Sequence, residues 1–192
     1  MTMQTETDSI IQSRTTSSNN TPSKRAMHSS KLMTLFEDQL KDILWVEKEL
    51  IKSIPRMISL ASAVELIEAL TTNLEQTKEQ ISRLAQVFRT IETKPSTDKC
   101  EAMAGLIAEA TDMLEDCEKG PWCDASIISA AQKIEHYEIA TYGTLRELAE
   151  TMELIDAAKL LEKSLEEEKS ADRTLTAIAR EFINMDAASI QA

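Results

Sequence analysis

Glycine and proline are scarce in this chain, with 3 Gly and 4 Pro among 192 residues, and aromatic residues make up only 4%. A sheet-rich architecture needs turn residues at short intervals and β-branched or aromatic side chains to cover its faces, so this scarcity excludes it. Basic residues are also few. Against 33 Asp and Glu stand 21 Lys and Arg, a formal net charge of -12, which argues against nucleic acid as a partner because phosphate binding is carried by clustered Lys and Arg. No uninterrupted apolar run is long enough to cross a bilayer, and the first 30 residues hold 13 Ser or Thr with no apolar signal core, so neither a membrane partner nor a secretion signal is expected. The three cysteines, Cys100, Cys117 and Cys123, form neither a Cys-x-x-Cys pair nor a zinc spacing. Their odd count argues against a disulfide framework and for a reducing compartment, so a cytoplasmic location is expected. No Ser/His/Asp order, GxSxG turn or phosphate-cradling Gly loop occurs, which sets a conventional hydrolase aside.

What is present is helix-forming sequence. Ala, Leu, Glu, Lys and Gln dominate, 42% of the chain is hydrophobic, and the length suits one well-buried all-α domain. Residues 1–29 are polar and without periodicity and are expected to form a disordered tail. From there the periodicity predicts helices over about Ser30–Ser59, Ala63–Ile91, Lys99–Asp116, Asp124–Thr151 and Met152 or Glu153 to Asn184. Pro55 is expected to kink or end the first, and Gly120-Pro121 to end the third. Two long helices, a long connection with a short helix, then two more long helices is the chain order of a ferritin-like four-helix bundle with one crossover. The bundle domain is expected to span 30–185, with a flexible C-terminus over 186–192.

Carboxylates interrupt the apolar seams of these helices. Steps of three and four give Phe36, Leu40, Ile43, Glu47, Leu50, Ile54, Met57 in the first, and Ile128, Ala131, Glu135, Glu138, Tyr142, Leu145, Ala149, Met152 in the fourth. The last helix gives Leu154, Ala158, Leu161, Leu165, Glu168, Asp172, Leu175, Ala179, Phe182. Such stripes face a bundle core, and ionised carboxylates cannot share a dry interior unless a cation or protons neutralise them. Two divalent ions about 3.5–4 Å apart would bring four positive charges, and the candidate ligands Glu47, Glu135, Glu138, Glu168 and Asp172 bring five negative ones. His136, beside this seam, is a candidate ligand, a partner that fixes a carboxylate through its ring N–H, or a plain boundary histidine. Tyr142 either bonds the site or packs. On the second helix, with the seam Ile67, Leu70, Leu74, Thr77, Ile81, Leu84, Phe88, Ile91, the inward polar residues are the amides Asn73, Gln76 and Gln80, weak ligands beside carboxylate or imidazole.

Several segments carry a resemblance: Leu40-Lys-Asp-Ile-Leu-Trp-Val-Glu-Lys-Glu-Leu50, Asn73-Leu-Glu-Gln-Thr77, Met103-Ala-Gly-Leu-Ile107, Ala130 to Gly143 with its Glu-His-Tyr-Glu-Ile-Ala run, and Leu165-Glu-Glu-Glu-Lys-Ser-Ala-Asp172. Over about Lys31 to Met185 the chain resembles the YciF/YciE-type bacterial stress proteins of the ferritin-like superfamily. The resemblance implies a rubrerythrin-like bundle, often a homodimer, with a diiron or dimanganese centre and a stress-associated role. It supports the same five acids as the inward set. The His-x-x-Glu-Thr usual in that family on the second helix stands here as Asn73-x-x-Gln76-Thr77. Two functions follow: a metal-carboxylate protein in which iron or manganese reacts with peroxide or oxygen, as a peroxidase or ferroxidase, or is sequestered; and a metal-free bundle that acts as a binding or structural module.

Overall fold

The computed structural model describes residues 30–190; the predicted N-terminal tail lies outside them. Five helices carry the fold: α1 (Lys31–Leu60), α2 (Val64–Thr90), α3 (Glu101–Met113), α4 (Pro121–Thr151) and α5 (Ile155–Ile178). A π-helical turn, Ala179–Ile183, joins α5 to a short α6, Asn184–Ala188. The two hairpins α1–α2 and α4–α5 pack so that α1 borders α2 and α4 while α5 borders α2 and α4. This is the expected four-helix bundle, and α3 lies on α4 along the crossover.

Local chemistry sets the helix ends. Ser30 caps α1, its Oγ accepting from the Met33 N–H at 3.1 Å, and Pro55 is carried inside the helix, which continues to Leu60. The start of α2 has no cap of its own. Asp124, buried in the first turn of α4, supplies one: its carboxylate accepts from Ser62 N at 2.8 Å, Ser62 Oγ at 2.6 Å and Ala63 N at 3.0 Å. One acid thus locks the α1–α2 turn to the α4–α5 hairpin, using donors that a helix start leaves open. The C-termini of α2 and α4 close in Schellman motifs, with Thr93 N bonding Phe88 O at 3.0 Å and Leu154 N bonding Ala149 O at 2.8 Å. Their left-handed positions are Glu92 and Glu153, both at φ 58°, where a side chain costs what glycine would not.

Three expectations are corrected. Gly120-Pro121 starts α4 instead of ending α3: Gly120, at φ 153°, is the N-cap and Pro121 opens the helix, where its missing N–H is no loss. That reversal brings the Cα atoms of Cys117 and Cys123 to 5.6 Å, and the two form a disulfide with Cys100 left free. The odd count hid a local pair, and the cysteines no longer argue for a reducing compartment. Finally, the last helix does not keep its seam. The π turn inserts an extra residue per turn, so Ile183 is buried and Phe182 faces out, and helix continues to Ala188.

Candidate metal centre

The seams of α1 and α4 fall in the core, so Glu47, Glu135 and Glu138 are carried inside with their leucine, isoleucine and alanine neighbours. Glu168 arrives from α5, one helical turn after buried Leu165. All four carboxyl groups are almost wholly removed from solvent. Ligand oxygens of Glu135, Glu138 and Glu168 lie within 4.8 Å of one another. Glu47 lies carboxyl to carboxyl with Glu138, and Glu135 with Glu168. Burial pushes Glu47, Glu135 and Glu138 well above the usual carboxylate range, with Glu168 a leading neighbour in each case. Glu168 is raised by burial too, and opposed by its bonds to Glu135 and Gln80.

Each helix adds polar support. The Tyr142 hydroxyl, buried on α4, donates to Glu47 Oε1; burial and the facing Glu47 push its own pKa well up. From α2, Asn73 Nδ2 donates to Glu135 Oε1 at 3.1 Å, while Gln80 Nε2 donates to Glu168 Oε1 and, at 3.2 Å, to Glu167 Oε2. No N–H or hydroxyl donor among the described residues reaches three buried oxygens of these acids: Glu47 Oε2, Glu135 Oε2 and Glu168 Oε2. Buried polar atoms are rarely left unpaired, and a lone buried carboxylate costs several kcal/mol.

The remaining candidates stand at the edge. Asp172 is 22% exposed and is held by His136 Nε2 at 3.2 Å and Gln132 Nε2 at 2.9 Å. His136 is itself 68% exposed, so its ring touches the rim acid and not the buried cluster. Gln76 is half-buried and lines both of two grooves, of about 420 and 430 Å³, that open along the α2–α5 seam. Asn73 lines the first of them, which leaves the floor of that groove one hydrogen bond from Glu135.

Arg83 was not among the sequence candidates. It is buried on α2 and grips Glu167 with a two-pronged contact, Nη1 to Oε2 at 2.8 Å and Nη2 to Oε1 at 3.0 Å, with a further bond to Ser164 Oγ at 2.7 Å. Its charge lowers the pKa of both Glu47 and Glu168. The signal was available: the buried residues of α2 are Leu66, Leu70, Thr77, Gln80, Arg83, Leu84, Val87 and Phe88, so the predicted stripe holds at Leu70, Thr77, Leu84 and Phe88 but extends on one side to take in Gln80, Arg83 and Val87.

An all-oxygen donor set with unpaired buried acceptors fits a hard or borderline divalent cation such as manganese or ferrous iron. Comparison with known proteins agrees with the fold. The chain is 41% identical over 162 residues to YciF of Escherichia coli strain K12, covering 84% of this chain and 98% of that one. The crystal structure of the E. coli stress protein YciF superposes with a TM-score of 0.77 at 42% identity, covering 81% of this chain and 98% of the other. The solved structure of YcfI from Rhodopseudomonas palustris, for which a structural role has been suggested, gives a TM-score of 0.75 at 36% identity over 85% of this chain and 99% of the other. Residues 31–188 match the family model described as "Domain of unknown function (DUF892)", and with a YciF-like bundle over nearly the whole described region, the chain belongs to that family.

Proposed function

We propose that this chain is a metal-binding stress-response protein whose bundle core holds iron or manganese on Glu47, Glu135, Glu138 and Glu168. The observation that carries this reading is the buried cluster in which Glu135, Glu138 and Glu168 bring ligand oxygens within 4.8 Å of one another, with Glu47 Oε2, Glu135 Oε2 and Glu168 Oε2 left without a donor. A bound ion would supply redox chemistry toward peroxide or oxygen, or would be the cargo of a sequestering protein. The protein's part is to hold the oxygens and to exclude bulk water. Tyr142, Asn73 and Gln80 fix the orientation of Glu47, Glu135 and Glu168 through the opposite oxygen of each carboxylate, as partners of metal ligands do. The grooves beside Gln76 offer a small solute its route inward, and the acidic Glu65 and Glu68 at the rim of the groove along Asn73 favour the approach of cations. The stress-associated role follows the E. coli relative, which is described as a stress protein.

A metal-free binding or structural module is the second reading, favoured by the neutral amides Asn73 and Gln76 on α2. Elemental analysis of protein purified with neither added metal nor chelator separates the two. Iron or manganese bound in the wild type and lost in Glu135→Gln supports the first; equal, trace content in both supports the second.

A further inference from the structure

Charge alone admits two divalent ions in this core, because Glu47, Glu135, Glu138 and Glu168 offer four negative charges. The hydrogen bonds do not. A two-ion centre needs carboxylates that bridge, each turning one oxygen to either ion. Here Glu47 Oε1 is taken by the Tyr142 hydroxyl, Glu135 Oε1 by the Asn73 amide and Glu168 Oε1 by the Gln80 amide. Each of the three has one unpartnered oxygen left. Glu138 alone among the four receives no N–H or O–H donor from the described residues, so it alone offers both oxygens without competition from a donor, and the other three would have to bridge through an oxygen already holding one.

The wall formed by α2 points the same way. Every contact it makes to the carboxylates is a donation: from Asn73 Nδ2, from Gln80 Nε2 and, behind them, from the Arg83 guanidinium to Glu167. These present the positive ends of dipoles and one full positive charge. A cation placed against that wall would meet the repulsion of these donors and find no carboxylate or imidazole ligand there.

We infer that this core takes a single divalent cation, ligated from α1, α4 and α5, with the donors of α2 standing where the ligands of a second ion would have to be. The inference rests on the metal-binding reading above.

The test uses the full-length protein, stripped with chelator, freed of it, and equilibrated anaerobically with Mn(II). Elemental analysis after dialysis gives the count, and electron paramagnetic resonance reports whether the ions are magnetically isolated or coupled. One ion per chain with the hyperfine pattern of an isolated ion is expected. Two ions per chain with an exchange-coupled spectrum would overturn the inference and leave the metal reading standing, whereas no binding would overturn both. Asn73→Asp with Gln80→Glu turns two donors into acceptors at nearly constant shape, and the count should double. If this variant does not fold, Asn73→Asp alone, at a half-buried position, serves instead and should raise the count above one. A folded variant that keeps the wild-type count would show that the α2 donors do not set it.

Discussion

Raising the pH should destabilise the metal-free bundle, and steeply. Glu47, Glu135, Glu138 and Glu168 all have pKa values raised in the folded protein, chiefly by burial and then by one another, while an unfolded glutamate titrates near about 4.3. Between those values the native chain keeps protons that the unfolded chain has lost. Stability is therefore fully present below the unfolded pKa and is lost as the pH climbs toward the folded ones. Each retained proton contributes about 1.4 kcal/mol per pH unit. The contacts pair the acids, Glu47 with Glu138 and Glu135 with Glu168, and one proton retained per pair gives a slope of about 3 kcal/mol per pH unit. The loss runs over a window that opens above the unfolded value and closes at the raised folded ones, and each pH unit within it removes a large share of the stability of a typical domain. Urea unfolding in the presence of chelator, at three pH values in this window, reads the slope directly. Glu135→Gln controls for the remaining acids: with one pair unable to share its proton, the slope should fall by about half. Saturating Mn(II) should flatten it, since an ion replaces the protons. Stability that is constant or rising with pH in the chelated wild type, or an unchanged slope in Glu135→Gln, would refute the reasoning.

Other consequences are testable by melting or mass. Arg83→Met leaves Glu167 and Ser164 without their buried partner and should cost about 3 kcal/mol in denaturant unfolding. Asp124→Ala removes three hydrogen bonds that tie the α1–α2 turn to α4 and should cost about 2 kcal/mol, with an equal effect in apo and metal-loaded protein because the site is remote from the carboxylates. Glu153→Gly, at φ 58°, should stabilise by about 0.5–1 kcal/mol, since relief of left-handed strain exceeds the added freedom of the unfolded chain. A homodimer is expected by light scattering, for Trp122, Phe182 and Met185 are large, exposed apolar side chains near the same end of the bundle, and a monomer at micromolar concentration would remove that expectation.

The seams of α1 and α4 were legible residue by residue, because both helices run uninterrupted through the core and each buries every position that the three-and-four count selected. Glu47, Glu135 and Glu138 were visible for that reason: an acid among leucines on a regular stripe has nowhere else to go. The α2 stripe was drawn too far toward Leu74 and Ile81, both only partly buried, because the hydrophobic count passed over Gln80 and Arg83, whose burial depends on partners in α5. No spacing rule supplies a partner from 80 residues away. The same limit explains Asp124, an acid in a helix's first turn that reads as an ordinary dipole-compensating residue until the turn it caps is in view. On α5 the periodicity was sound as far as Leu175 and failed beyond it, where the π turn rotates the face. Asp172 lies on the predicted line but at the bundle's rim, bonded to Gln132 and His136. The Cys117–Cys123 pair escaped because Gly-Pro can signal either the end of one helix or the start of the next, and the distance between the cysteines depends on which.

The central claim is that the four buried carboxylates form a cation site, and anomalous scattering from crystals of the wild-type protein grown with Mn(II) tests it most directly. The expected result is one anomalous peak per chain among Glu47, Glu135, Glu138 and Glu168, absent from crystals of Glu135→Gln grown in the same way. Peaks confined to the acidic surface, with the core empty at saturating metal, would contradict it.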